Sequence, residues 1–510
     1  MAEPLEGNEK VKLSALLAWL GEEGGKVHDD IYFARDNQMG LSPFASERID
    51  SDAVAVNVPV KSCITTANAK KQVEDLLMAA EEQDDSNDSE IVSPKEWILL
   101  YLVLHKLLLS FRKERGSQNR KDTERSSKRT KLDSENVNSF LKHAAYVNLL
   151  PEEILTPIHF NIDEIILLQS TPLFNYAIQK HQETRETCER IGKWMLQKLE
   201  NSSSGEAWIE HLKDKFVSPT SLQSPDITEE QRVQWKRGTG DDLYWCEDEM
   251  CWPLLKVWRW AETVHGSRAF PPRLIEAHDS APILIPCFDL FNHSREAKVT
   301  WTFERANAQK DIQQDCATLT VHNRTGKDCQ VFNSYGPKSN ESLLASYGFV
   351  NDSMNDDTVC LKLGQKQTNG ATHASDTKER LHYWKYEEEC PPDLLEEVIN
   401  VIRANVDPEE ENEDIDRFAP DAGEEEREDI RRKMYEEEAY GIISEMAQKK
   451  LQGLQNEMIE EAKKNVNVRP EVLHTIEVYR EGQKRVLGWA IEHADQKSLT
   501  LGAEMNNAYY

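Results

Sequence analysis

Strand-forming stretches occur in two places that lie far apart in the chain, and any sheet they build together must bridge that distance. Ile31-Tyr32-Phe33 and Ala53-Val54-Ala55-Val56-Asn57-Val58 are rich in β-formers and are separated by Gly40 and polar turns, so two or three short strands are expected within 30–62. The pattern returns within 281–350, where Val299-Thr300-Trp301-Thr302-Phe303 and Thr318-Leu319-Thr320-Val321 alternate. Helical spacing fills the interval. A sheet assembled from two distant segments, with a large helical insertion between them, is the simplest arrangement.

Residues 13–20 read as a short amphipathic helix. Ser93-Pro94-Lys95-Glu96 has the form of a capping box with proline at the first helical position, so a helix is expected from there to about Phe111. Residues 135–200 keep helical spacing, with breaks at Pro151, Pro157 and Pro172, and the chain is helical again from about 375. Three charged tracts read as solvated loops. One is the acidic run from Glu81 to Glu90. The second, Arg112 to Lys131, holds nine Lys/Arg against three Asp/Glu, and its Lys128-Arg129-Thr130-Lys131 also fits a nuclear-localisation patch. The third, 407–438, holds sixteen Asp/Glu against five Lys/Arg.

Charge narrows the function. With 61 Lys+Arg and 91 Asp+Glu the 510 residues carry a formal charge of -30. That argues against direct nucleic-acid binding, which needs clustered positive charge, and suits a basic protein partner. The opening Met-Ala-Glu-Pro-Leu-Glu-Gly lacks the basic and apolar stretches of a signal peptide. The longest apolar run, Trp97 to Leu104, is far short of the ~20 residues of a membrane span. A cytoplasmic protein, also entering the nucleus, is expected, with no membrane partner. Nine cysteines are scattered, and Cys246 and Cys251 form the only close pair, so neither a disulfide framework nor a metal site is expected.

The densest cluster of chemically useful residues spans 267–349. It runs Ser267-Arg268-Ala269-Phe270, then Asp289-Leu290-Phe291-Asn292-His293-Ser294, then Asn333-Ser334-Tyr335-Gly336, then Tyr347-Gly348-Phe349. Singly each signal is modest. Asn292-His293 also reads as a turn whose side chains bond local backbone, and each Tyr-Gly as a strand ending in a turn. No serine or cysteine here sits in a nucleophile motif, and dinucleotide and phosphate-loop fingerprints are absent.

Taken in order, S-R-A-F, D-x-x-N-H-S, N-S-Y-G and Y-G-F resemble the SET-domain protein methyltransferases. The nearest branch is that of the Rubisco large-subunit lysine methyltransferase and the fungal ribosomal-protein and elongation-factor lysine methyltransferases. Leu16 to Gly21, Tyr146 to Pro151, Thr156-Pro157, Leu173 and Val478-Tyr479-Arg480-Glu481-Gly482-Gln483 extend the resemblance over most of the chain. It implies an α+β fold: a β-rich SET domain with a pseudoknot-like crossing of the N-H-S segment beneath the loop before Y-G-F, a large helical insertion, and an all-helical C-terminal domain. The implied division is an N-terminal helix at 1–24, a SET domain at 25–350 with the insertion at about 66–265, and a substrate-binding domain at 351–510. Two positions depart from the pattern. Gln38 stands where the family has the first glycine of a Gly-x-Gly turn, which would crowd the cofactor or change the turn, and Ser170 replaces a usual glycine.

The resemblance implies methyl transfer from S-adenosyl-L-methionine to a protein amine by in-line displacement. A lysine amine, whose ordinary pKa is about 10.4, must lose its proton, and an apolar channel beside a sulfonium favours that loss. Tyr335 matches the active-site tyrosine that orients the amine. Met39 and Gly40 match backbone contacts to the cofactor. Arg268 matches the arginine that pairs its carboxylate or nearby substrate, and carbonyls from Asp289 to Phe291 would face the methyl. Asn292 and His293 match residues that hold its methionine and adenine parts, and Tyr347 matches the tyrosine lining cofactor and channel. The expected substrate is a non-histone protein, basic in character, such as a ribosomal protein or translation factor. A histidine acceptor and a catalytically inactive SET-derived binding protein are the alternatives.

Overall fold

The computed structural model describes residues 3–78, 91–119, 136–201, 206–217, 252–307, 313–352, 355–363, 381–407, 409, 411, 413, 415–416, 420, 422–454 and 457–508. The acidic run 81–90, the 128–131 patch and the Cys246/Cys251 pair lie outside the described residues. The chain forms two compact units, Met1–Ile154 with Gln179–Pro337, and Leu155–Ile178 with Lys338–Tyr510. The second unit takes in 155–178 and 338–350, stretches that the expected division assigns to the SET domain.

Among the described residues the first unit holds eight strands: β1 Lys26–Val27, β2 Ile31–Asp36, β3 Gly40–Ala45, β4 Ala53–Pro59, β5 Ala269–Phe270, β6 Ile283–Leu284, β7 Val299–Glu304 and β8 Cys316–Val321. Four of them make a sheet in the order β1-β4-β8-β7. The two distant segments meet at β4 and β8, antiparallel from Ala53↔Val321 to Pro59↔Cys316, with a register shift between Val54 and Val56. That shift leaves Val54 exposed and Ala55 and Val56 buried, which re-aims the strand locally. β2 and β3 form a separate two-stranded ribbon closed at the Asp36↔Gly40 pair, and β5 pairs with β6.

Helices supply the core on which these small sheets rest. Helix Pro94–Asn119 starts at the expected proline, with the Ser93 N–H donating to Glu96 Oε2 at 2.8 Å. Its run from Trp97 to Leu104 is buried all round, the state expected of a helix without a polar face. The helix continues past Phe111, so 112–119 is helix rather than the expected loop. Lys, Arg and Glu are good helix formers, and extending a formed helix needs no new nucleus. Pro172 opens helix Pro172–Glu200 instead of interrupting one, as proline's fixed φ permits in a first turn.

In the second unit, helices Glu424–Gln452 and Pro470–Ala508 pack together. Tyr435, Ala439, Ile443 and Ala447, one per turn, meet Val486, Leu487, Ala490 and Ala494 in one apolar cluster. The acidic tract is therefore no loop over 424–438. Glu424, Glu425 and Glu426 sit in the first helical turn, where the helix dipole favours carboxylates, and Arg431–Glu428 and Lys433–Asp429 pair one turn apart. The all-helical expectation for 351–510 also needs correction. β9 Thr358–Leu361 and β10 His382–Lys385 form an antiparallel pair, with His382 and Trp384 turned in and Tyr383 out. β-Branched and aromatic residues favour that pleated, half-buried setting.

Candidate active site

The site begins with a strained turn. Cys287, fully buried, has φ +71° and leads into the short turn Phe288–Leu290, which turns Asp289 inward. A non-glycine residue in this conformation costs on the order of 1–3 kcal/mol and persists only when its surroundings enforce it. The Arg268 Nη1 donates to the Asp289 carbonyl at 2.9 Å and to Asp289 Oδ2 at 3.0 Å. The hydroxyl of Tyr146 donates to the same Oδ2 at 3.0 Å. Asp289 Oδ1 and Arg268 Nε are buried without a hydrogen-bond partner among the described residues.

The electrostatics follow from burial. Burial pushes the Asp289 carboxyl above its ordinary value, and the Arg268 guanidinium and the Tyr146 hydroxyl oppose that rise. Burial by itself would lower Arg268, but Asp289, Tyr146 and Tyr335 outweigh it and raise its pKa, so it stays a cation.

A cavity of about 530 Å³ opens against this cluster, and Met39, Gly40, Arg268, Asp289 and Asn292 all line it. Five predicted residues from three stretches of sequence thus share one cavity. Gly40 needs its φ of +72°, and no heavy atom lies within 4 Å of where a Cβ would stand. Gln38 is exposed, has no positive φ and is absent from the cavity lining. The glycine missing at this position therefore costs no backbone strain and does not crowd the cavity. Both the Gln38 and Met39 N–H groups donate to Asp36 Oδ1, at 2.8 and 2.9 Å, so Met39 has no N–H to offer a ligand.

The N-H-S and N-S-Y-G segments lie side by side. His293 and Asn333 form a parallel bridge, in which the Asn333 N–H donates to the Asn292 carbonyl at 2.8 Å and the Ser294 N–H to the Asn333 carbonyl at 2.9 Å. Tyr335 is held at three points. Its N–H donates to His293 Nδ1 at 3.1 Å, its hydroxyl donates to the Phe291 carbonyl at 3.2 Å, and its ring stacks on His293 at 5.1 Å. His293 is buried but absent from the cavity lining, and its Nδ1 serves Tyr335. Tyr347 belongs to the second unit, where it ends helix Asn340–Tyr347 before Gly348 at φ +77°. Burial raises its hydroxyl pKa, and the Lys338 ammonium lies 5.8 Å from its ring centre.

Three residues that sequence reasoning leaves without a role take part. Fully buried Ser42 accepts from Asn292 Nδ2 at 2.7 Å and donates to the Gly40 carbonyl at 3.1 Å, tying the N-H-S segment to the Met39-Gly40 turn. Asn333 Oδ1 accepts from Trp301 Nε1 at 3.0 Å and from the Ser334 N–H at 2.8 Å. Tyr146 is the third. The burial of a tyrosine on a helix that must pair its hydroxyl is a signal of this kind, but its partner is remote in sequence.

No protein-family model matches the sequence. Over the chain, the structure resembles the crystal structure of the SET domain of LSMT bound to lysine and AdoHcy, with a TM-score of 0.59, 18% identity, and coverage of 98% of this chain and 94% of that one. The chain has the SET-domain fold. In sequence this SET-domain chain is similar to ribosomal lysine N-methyltransferase set10 of Schizosaccharomyces pombe, 25% identical over 348 residues, covering 67% of this chain and 46% of the relative. It is also similar to protein-lysine N-methyltransferase EFM1 of Saccharomyces cerevisiae, 23% identical over 360 residues, covering 68% of this chain and 50% of the relative. The chain spans about half the length of these curated relatives. Among the described residues, no group of three or more His, Cys, Asp or Glu is placed to hold a metal ion, and no helix is long and apolar enough to cross a membrane.

Proposed function

We propose that the chain is an S-adenosyl-L-methionine-dependent protein-lysine N-methyltransferase acting on a non-histone protein, a ribosomal protein or an elongation factor. The observation that carries this reading is the meeting of Met39, Gly40, Arg268, Asp289 and Asn292 around one cavity, with the Tyr335 hydroxyl bonded to the carbonyl next to Asn292. The cavity, about 530 Å³, falls within the ~300–1,000 Å³ of small-ligand sites. Arg268, partly exposed in the cavity wall and held by Asp289, offers a guanidinium that suits the carboxylate end of an amino acid.

The cofactor supplies a methyl group on a sulfonium. The chain's part is to hold the acceptor amine in line and dry. Tyr335 is fixed by His293 and by the bond of its hydroxyl to the Phe291 carbonyl, and a lone pair of that hydroxyl would orient the amine. Alignment of that kind is worth several kcal/mol of barrier, and burial of the amine favours its neutral form. The names of the relatives, ribosomal lysine and protein-lysine N-methyltransferases, favour lysine over histidine. The charge of -30 fits a basic protein substrate. The cytoplasm is the proposed site of action.

The test is methyl transfer from tritiated S-adenosyl-L-methionine to a lysate of cells lacking this protein, with the labelled residue identified by mass spectrometry. Methyl-lysine in a ribosomal protein or translation factor is expected, with Tyr335→Phe slowing transfer at least about tenfold. Methyl-histidine would overturn the acceptor. Labelling unchanged by Tyr335→Phe would remove that tyrosine's role. No binding of the cofactor at millimolar concentration would favour a SET-derived binding protein.

A further inference from the structure

The helical insertion contributes to the cavity as well as to the core. Helix Ala144–Leu149 and the residues after it place Tyr146, Leu149, Leu150 and Pro151 in the cavity wall. Tyr146 is 1% exposed, and its hydroxyl donates to Asp289 Oδ2 at 3.0 Å, across 143 residues of sequence. With Arg268 Nη1 on the same oxygen, Oδ2 has two donors and Oδ1 has none among the described residues. Two bonds to one oxygen fix the plane of a carboxylate that would otherwise rotate about its last torsion.

We propose that Tyr146 is a positioning residue for cofactor binding: its hydroxyl fixes the Asp289 carboxylate that in turn holds the cavity-lining Arg268, and the insertion thereby completes the cofactor seat. The proposal rests on the reading of this cavity as the cofactor site. The groups facing Asp289 and its partners are Arg268, Tyr146, Cys287 and Tyr335. Burial raises the Tyr146 hydroxyl and the Cys287 thiol well above their ordinary values, so both stay protonated, and Tyr146 acts as a donor only. Its bond favours the ionised form of Asp289, whose carboxyl burial already pushes up. Removing the hydroxyl pushes that carboxyl further up, so protonation of Asp289 begins at a higher pH.

The experiment measures the Kd of S-adenosylhomocysteine by calorimetry on the full chain. Wild type, Tyr146→Phe, Asp289→Asn and the double variant are compared at pH 8 and pH 6. Tyr146→Phe is expected to weaken binding about tenfold at pH 8, the loss of one bond to a charged group, and more at pH 6. In the Asp289→Asn background the same change is expected to shift Kd less than about twofold, because the coupling partner is gone. Equal losses in both backgrounds, or a Kd and pH dependence unchanged by Tyr146→Phe, would overturn the proposal and leave the functional reading standing. A wild type that binds no S-adenosylhomocysteine at millimolar concentration would sink both. Should Tyr146→Phe fail to fold, 3-fluorotyrosine at 146 keeps the packing and makes the hydroxyl a stronger donor. Tighter binding is then expected, and unchanged affinity overturns the proposal.

Discussion

Each unit holds a buried arginine–carboxylate pair, and the two pairs are finished differently. In the second unit Glu164 is fully buried, and both of its oxygens are satisfied. Oε1 accepts from the Arg469 N–H and Nε at 3.0 and 2.9 Å, and Oε2 accepts from Arg469 Nη2 at 2.8 Å and the Asn161 N–H at 2.9 Å. In the first unit Asp289 and Arg268 share one side of each group and leave Asp289 Oδ1 and Arg268 Nε unmatched among the described residues. An unmade bond in a buried polar group costs about 1–3 kcal/mol unless water, an ion or a ligand supplies the partner. The completed pair is a fastener that docks the turn at 161–164 onto the start of helix Pro470–Ala508. The incomplete pair belongs to two residues that line the cavity, and on the proposed function it serves binding.

That contrast breaks most directly at the arginines. Arg469→Ala is expected to cost about 3–5 kcal/mol of unfolding free energy in urea titration, because the buried Glu164 loses its cation and keeps only two backbone N–H donors. Measured where the variant is still folded, its Kd for S-adenosylhomocysteine should stay within about twofold of wild type. Arg268→Ala is expected to do the reverse. Affinity drops by about two orders of magnitude, as loss of a charged bidentate donor implies, while stability falls less because Asp289 can take up a proton. Equal stability losses with affinity intact would show that both pairs serve the fold.

Acid adds a third kind of buried group, the histidine kept neutral by its surroundings. Burial lowers His105 and His143 to about 3 and His265 to about 4. The folded chain keeps them neutral while the unfolded chain protonates near 6.5, so their stabilisation is complete above 6.5 and is lost as pH falls toward 4. The expected slope is about 1.4 kcal/mol per pH unit for each histidine, read from urea midpoints between pH 6 and pH 4.5. A flat profile over that range would place these rings in solvent.

The smallest expected effect lies in the same turn region as Glu164. Ser170 sits at φ +66°, a conformation that glycine adopts freely, which accounts for the glycine the family pattern has there. Ser170→Gly should raise unfolding free energy by about 0.5–1 kcal/mol, the strain relieved less the entropy glycine loses. No gain in melting temperature would mean that the serine side chain repays its strain through packing.

Much of this is legible in the residues alone. Ser93-Pro94-Lys95-Glu96 marks a helix start, and alternating residues at 299–303 and 318–321 mark β7 and β8. Motif order singles out Met39, Gly40, Arg268, Asp289 and Asn292, and these share one cavity. The failures have a common source. Charge alone makes 112–119 and 424–438 read as loops, although first-turn glutamates and ion pairs one turn apart are local reasons for helix. Motif order gives His293 and Tyr335 separate tasks, whereas the structure commits His293 Nδ1 to the Tyr335 backbone.

Periodicity, capping and turn chemistry act over a few residues, so the helices and strands, and the residues with chemistry to offer, are written in neighbouring letters. Which of their bonds are completed is settled only by the folded arrangement. Whether Asp289 keeps an oxygen bare depends on Arg268 and Tyr146, one of them 143 residues away, and on the burial that makes the omission costly.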